Sequence, residues 1–391
     1  MAAFIPFSIS GANISIMLGF LGSMIAVVTD PETRLRYRGM RRDPFLVASV
    51  LLVLSALPAV LLSEDLPRAL RDWKSYWLLL IYFLVAYNLV SDRLRRAIFW
   101  VLFTSMSVSS LIVLVQSRGG IDLGVLRIGA QPGRPSSTLF TMTFAGVLYQ
   151  IAVVNFAVML KERRWSGAAF TIGAGFTLQV VSLLLNRTRG AWLALVAGLG
   201  AVTVLIRRRG VLLAGVAAIV LATGFGAASP GIRERAAAMF DNLSHPGDET
   251  ISTRLVLWDI SWEVFKAHPL LGVGMGDYSI EADRLLRERE VTTTVDSHNI
   301  YLQLLATRGV VGFLPFAFFW FTLIRLLVRT RRSLRTRDAF GYHFVTGVIA
   351  VAVAVLVGAL TENNIDDSEV FIAFMFLVGV ARSFVVATCR D

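Results

Sequence analysis

Residues 342–361 read YHFVTGVIAVAVAVLVGALT, twenty consecutive positions without an aspartate, glutamate, lysine or arginine. An α-helix rises about 1.5 Å per residue, so a run of this length crosses the roughly 30 Å hydrocarbon core of a bilayer. In lipid no water is at hand for the backbone, and a helix satisfies its own N–H and C=O groups. Ten further apolar runs lie near 10–28, 44–63, 75–91, 97–116, 137–160, 166–186, 190–206, 210–228, 299–327 and 369–387. The expected fold is an all-α polytopic membrane protein of about 11–12 transmembrane helices, the twelfth being an extra short or re-entrant piece within 1–28.

Composition agrees with this reading. The chain is 55% hydrophobic with a mean hydropathy of +0.66. It carries 17% charged residues, where a soluble domain carries about a quarter. The N-terminus lacks the charged leader of a signal peptide, so its first apolar run is expected to stay as a span. The single cysteine, Cys389, rules out an internal disulfide, and His245, His268, His298 and His343 make no pair at metal-ligand spacing. No metal and no cofactor are expected.

The net charge of +11 suggests nucleic acid until the arginines are placed. Arg34, Arg36, Arg38, Arg41 and Arg42 follow the first run, and Arg93, Arg95 and Arg96 the third. Lys161, Arg163 and Arg164 follow the fifth, Arg207 to Arg209 the seventh, and Arg329, Arg331, Arg332, Arg335 and Arg337 the ninth. Every second short loop is basic, the pattern of cytoplasmic loops, and topology therefore accounts for the charge without a nucleic-acid partner. The N-terminus and the other loops then face outward, including the acidic stretch from Glu362 to Glu369.

One outward loop, 229–298, is far longer than the rest, a length that goes with function. Within a single membrane domain, 1–391, it is expected to hold an amphipathic helix. Thr250 or Ser252 can cap it, and Ile251, Leu255, Trp258, Trp262 and Phe265 recur at helical spacing. Such a helix lies at the membrane surface with its tryptophans among the headgroups, or packs on the ends of the spans.

Polar chemistry gathers at outward span ends. Asn186-Arg187-Thr188-Arg189-Gly190-Ala191-Trp192 interrupts apolar sequence. Two arginines there can grip a diphosphate, because the guanidinium fork matches phosphate oxygens, or they snorkel to lipid headgroups. Asp296-Ser297-His298-Asn299 opens the ninth span, with Asp296 or Ser297 as cap and His298 in the first turn. Tyr301 shares its face, and Gly309 and Gly312 fall on the same stripe, where a neighbouring helix can approach. A neutral His298 can take a proton from a sugar hydroxyl, nearby arginines keeping its pKa low, or it bonds a loop carbonyl. Arg254, at the start of the loop helix, reaches a phosphate or is simply solvated. Arg127 and Arg134, in another outward loop, are candidates for donor contact, and Asp296, Asn299, Tyr301 and Trp258 for substrate contact. The glycine-rich stretch His268 to Tyr278 does not follow a strand, so a turn re-entering the membrane face fits better than a nucleotide loop. Glu362, Asn363 and Asn364 read as helix-end residues.

At these residues the chain resembles the O-antigen ligase and polymerase family of bacterial inner-membrane glycosyltransferases. Three pieces carry the resemblance. They are Arg-Thr-Arg-Gly-Ala-Trp at 187–192; Ser252-Thr253-Arg254 leading to Trp258, His268-Pro269 and Gly272, Gly274, Gly276 and Tyr278; and His298-Asn299 followed by Gly309-Val310-Val311-Gly312. The last is the most specific and is similar to the ligase signature. The resemblance implies a GT-C-like bundle with one large periplasmic loop, multi-pass in the bacterial inner membrane, and an active site on the periplasmic side. It implies a donor glycan on undecaprenyl diphosphate and, for ligases, transfer to the lipid A–core oligosaccharide, inverting and metal-independent. By motif, Arg187, Arg189 and Arg254 would bind the diphosphate and His298 would activate the acceptor hydroxyl. The alternative is a polymerase using the same donor; less favoured are a glycan-to-protein transferase and a transporter or flippase. Transporters place ionisable groups at mid-membrane, and here the middles of the runs are nearly free of charge.

Overall fold

A computed structural model describes residues 1–118, 134–162, 166–206, 249–291, 293, 295–363 and 365–386, with the backbone alone for 249–252. The described chain is an all-α bundle. In order the helices are α1 (Ile9–Thr29), α2 (Pro31–Gly39), α3 (Pro44–Ser55), α4 (Leu57–Leu61), α5 (Leu66–Lys74), α6 (Leu80–Asn88), α7 (Asp92–Ser117) and α8 (Thr141–Met159). They continue with α9 (Gly167–Asn186), α10 (Arg189–Ile206), α11 (Glu249–Ala267), α12 (Tyr278–Glu288), α13 (Ile300–Leu334), α14 (Ala339–Gly358) and α15 (Ser368–Val386).

Among the described residues, nine helical segments are long and apolar enough to cross a membrane, α3 and α4 counting as one. The chain is a multi-pass membrane protein. One expected run differs and another is not described. The run 210–228 lies outside the described residues. The run 75–91 is a 3₁₀ turn, Ser75–Leu79, followed by the nine-residue α6. That helix is buried from Ile81 to Tyr87 and packs along α15. An apolar run sheathed by protein needs no bilayer-matched length, which hydropathy does not reveal. Residues 2–7 form turns and add no span.

At the centre α8 is buried along nearly its whole length, between α9, α10, α14 and α15. Close approach follows from small residues, as where a Cβ on Gly347 would come 2.9 Å from the Cα of Val154. Asn155 bonds Gln179 across α8 and α9 at 2.9 Å, so both buried amides gain a partner. On the outside, α1 exposes Ile14, Met17, Leu18, Leu21, Met24 and Ile25, an apolar face fit for lipid.

The two ends of the bundle differ. At the basic end Asp43, almost wholly buried, caps α3 through the N–H of Phe45 and accepts from Tyr82 and Tyr87. Arg382 of α15 faces the same carboxylate at 3.4 Å, and Arg95 donates to Ser383. The opposite end collects the start of α10, the ends of α9 and α14, the residues before α13, and α11 with α12.

The loop helix α11 packs on α12 through Leu257, Ile260 and Val264, which meet Tyr278, Ala282, Leu285 and Leu286. This buried stripe is offset from the expected one, and Leu255 and Trp262 stay exposed. The helix is thus packed against protein and also presents apolar side chains outward.

Beyond α11, the glycine-rich segment inserts into a break in α13. The break is at Gly309, whose φ of 59° and ψ of −163° are far from helical. Val273 and Gly274 donate to the carbonyls of Ala306 and Thr307, while Val310 and Val311 donate to Pro269 and Leu270. The broken helix therefore lends four hydrogen-bonding groups to the loop and leaves none of those four orphaned. A Cβ on Gly309 would run into the Leu270 backbone, and one on Gly272 into Thr307 and Arg308. A turn is present, packed into the break of α13. The role expected for Gly309 changes: a loop, not a neighbouring helix, makes the close approach.

Candidate functional site

The turn between α9 and α10 is built on Asn186. Its side-chain amide donates to the carbonyls of Pro135 and Thr141, and its oxygen accepts from Thr188. Trp192 reaches back to the carbonyl of Leu183 at 2.9 Å. Thus pinned, the turn carries Arg187 in the left-handed region, φ 61°. Among the described residues, Ser137, Arg187, Glu290 and His298 are the non-glycine residues with positive φ. All four belong to loops at this end of the bundle, and such strain is held only where packing over-determines it.

Arg134 joins this turn by donating to the Asn186 carbonyl at 3.3 Å and to Thr188 Oγ1 at 2.9 Å. The guanidinium groups of Arg187 and Arg189 have no hydrogen-bond or ion-pair partner among the described residues, Arg187 bonding through its backbone N–H to the Leu184 carbonyl. Two cations held in a fixed turn with free guanidinium groups suit a doubly charged anion. Arg127 lies outside the described residues.

Glu362, at the end of α14, links this turn to the rest. A Cβ on Gly190 would come 2.6 Å from Glu362 Cγ, so only glycine lets α10 begin this close to the glutamate. One carboxylate oxygen accepts from Arg254 Nη2 at 3.1 Å, and Arg254 Nη1 donates to the Thr361 carbonyl at 3.1 Å. The other oxygen lies 3.7 Å from His298 Nδ1. That is an ion-pair distance, longer than a formed hydrogen bond. Glu362 is 6% exposed, Arg254 30% and His298 25%, so a buried carboxylate organises two groups that solutes can reach.

His298 differs from expectation in two ways. It precedes α13 rather than lying in its first turn. Asn299 is the cap, its side chain accepting from Tyr301 N and Leu302 N. His298 adopts φ 49°, turned out of the helix, and the Gly309 and Gly312 stripe does not run beneath it. Its pKa is also raised, not lowered. The Glu362 carboxylate pulls it up against desolvation, Asp296 adds to the rise, and Arg254 alone of the arginines opposes it.

The remaining candidates have protein partners. Trp258 Nε1 donates to the Ser297 carbonyl, holding the residue before His298. Tyr301 Oη donates to the Leu356 carbonyl. Asn363 donates to Asp296 and, at 3.0 Å, to Gln303 Oε1, which also accepts from Ser297 Oγ at 2.9 Å. Asp296 is therefore a bridge to the α14–α15 loop and not a cap.

Glu362 is the residue that sequence reasoning passed over. Its only signal was an acidic residue closing an otherwise apolar span. Beside it lies a cavity of about 520 Å³, reached by Asp296 and Asn363 from one side. Arg308 and Asp366 also line it. Asp366 is exposed towards the cavity, and desolvation by the protein around it pushes its pKa up to about 6, with Arg308 opposing. Among the described residues no group of three or more His, Cys, Asp or Glu is placed to hold a metal ion.

The profile of a family described as O-antigen ligase matches residues 174–317. The matched stretch spans Arg187, Arg189, Arg254, His298 and the Gly309 break, and it confirms the resemblance there. Arg134 and Glu362 lie outside it. No curated protein matches the chain.

Proposed function

We propose that the protein is a glycosyltransferase that moves a polysaccharide from undecaprenyl diphosphate to the lipid A–core oligosaccharide. The single observation that carries this reading is the Glu362 hub, which places Arg254, His298 and the Arg187–Arg189 turn around one carboxylate. In this reading the chain is one membrane domain of GT-C type in the bacterial inner membrane, its 229–298 loop and active site on the periplasmic side. Among the described residues, the basic segments 34–42, 93–96 and 329–337 gather at the opposite end, as cytoplasmic loops do.

A diphosphate leaves without a proton and needs its developing charge stabilised. Arg187, Arg189 and Arg254, with Arg134 behind them, supply fixed donors for that charge. The acceptor hydroxyl attacks the anomeric carbon from the face opposite the leaving diphosphate, so configuration inverts. Neutral His298 accepts the hydroxyl proton, and Glu362 stabilises the imidazolium formed, as a carboxylate does behind a catalytic histidine. The raised pKa of His298 fits a base that receives a proton. No step calls for a metal ion.

The test is reconstitution of the purified protein with lipid-linked glycan and, in separate reactions, lipid A–core or a second lipid-linked repeat. Extension of lipid A–core supports the ligase reading. Extension of the repeat instead makes the protein a polymerase, and extension of neither removes the proposal.

A further inference from the structure

The cavity next to the Glu362 hub has a chemistry of its own. Its outer wall carries Arg71, Asp72, Tyr76, Gln303, Asn363 and Asp366. Its floor is aromatic, with Phe316, Phe319, Trp320 and Phe371. Arg308 is set there by the broken helix. The missing side chain of Gly312 leaves room for its stem, and its guanidinium bonds Tyr76 Oη and lies 5.4 Å from that ring's centroid.

Charge separates this cavity from the arginine turn. Asp72, Asp296 and Asp366 outnumber Arg71 and Arg308. Around Glu362 the balance is reversed, with Arg134, Arg187, Arg189 and Arg254 against one carboxylate. A diphosphate is drawn to the second place and not to the first.

Three residues of the lining also bury a polar side-chain atom without a hydrogen-bond partner among the described residues. Trp320 is 4% exposed and its Nε1 has no hydrogen-bond partner among the described residues. The same holds for Arg308 Nε and Asn363 Oδ1. The volume falls in the roughly 300–1,000 Å³ range of small-ligand sites.

We propose that this cavity is the acceptor subsite and holds an uncharged, hydroxyl-rich sugar, with aromatic rings against the sugar's C–H faces and carboxylates and amides on its hydroxyls. The assignment rests on the glycosyltransferase reading above and extends it. Asp296 and Asn363 line the cavity and adjoin His298 and Glu362 in the chain, so a hydroxyl leaving the sugar's edge at this seam meets the base. The donor diphosphate stays on the arginine side.

The test uses the full-length purified protein and reads binding apart from turnover. The probe is a neutral hexose oligosaccharide, followed by saturation-transfer NMR, with inorganic diphosphate as the anionic counterpart. The Ser368→Trp variant fills the cavity from the exposed start of α15, and Asp366→Asn removes a hydrogen-bond acceptor at constant size. Gel filtration and thermal midpoint select variants that fold. Oligosaccharide binding should be lost in Ser368→Trp, weaken about 5-fold or more in Asp366→Asn, and survive in Arg187→Ala/Arg189→Ala. Diphosphate binding should show the opposite dependence. Oligosaccharide binding that persists in Ser368→Trp, or that disappears with the two arginines, overturns the assignment. If wild-type protein binds the sugar in this pattern but transfers no glycan, the subsite stands and the transferase reading fails.

Discussion

His298 Nδ1 lies 3.7 Å from Oε2 of Glu362, a residue contributed by the far end of α14. The pair is not yet at hydrogen-bond distance, and catalytic contacts of this kind tighten when substrate binds. The carboxylate's other oxygen is occupied by Arg254 at 3.1 Å. One buried glutamate thereby couples the proposed base to a proposed diphosphate ligand.

That coupling sets the pH dependence. A base works when neutral, so transfer should rise with pH through the pKa of His298. Glu362 and Asp296 raise that pKa above its usual value near 6.5. Glu362→Gln removes the largest cause, so the acid limb of kcat/KM against pH should move to lower pH. The maximal rate should fall by roughly 10-fold or more as the imidazolium loses its counter-charge. An acid limb that stays in place in Glu362→Gln would show that another group titrates.

The arginine turn should be intolerant of lysine. Arg187→Lys and Arg189→Lys keep charge but lose the planar fork, and each should cost about 10²-fold in transfer, near the effect of removing one oxyanion donor. Initial rates at varied donor concentration give the answer. Wild-type rates in both variants would mean that these guanidinium groups only meet lipid headgroups.

Gly309→Ala tests the knot between the glycine-rich segment and α13. At φ 59° an added Cβ is strained and also meets the Leu270 backbone. The expected loss is about 1–3 kcal/mol or more of stability, read as a lower thermal midpoint in detergent. Gly200→Ala is the control, since a Cβ there meets nothing within 4 Å. Equal midpoints for the two variants would contradict the role given to the break.

Chelation should leave transfer untouched. With arginines neutralising the leaving group, exhaustive EDTA treatment should change the rate by less than about 2-fold, whereas a metal Lewis acid supplies several kcal/mol of charge stabilisation. A large loss restored by a divalent cation would refute the metal-free mechanism.

Much of the molecule was legible one segment at a time. Among the described residues, hydropathy located nine helical segments long and apolar enough to span, because burial in lipid is imposed residue by residue along each helix. It misjudged 75–91, since α6 is apolar from packing against α15 and not from crossing the bilayer on its own. Helical spacing found α11 but chose the wrong stripe, because Leu257, Ile260 and Val264 face α12, a partner that spacing does not reveal. Asn186 to Trp192 stood out as a candidate site because two arginines interrupt apolar sequence where topology does not favour them.

The sequence alone determined the membrane class, the polarity of the two ends and the arginine turn, since each is written in a contiguous stretch and enforced by local burial. Tertiary structure alone decided that Glu362 is the hub, that Asn299 rather than Asp296 caps α13, that His298 is turned out of the helix with a raised pKa, and that Arg308 lines a cavity. These depend on which helix ends meet. Helix ends are brought together by side-chain packing over the whole bundle, and the electrostatics of a carboxylate is set by neighbours far away along the chain.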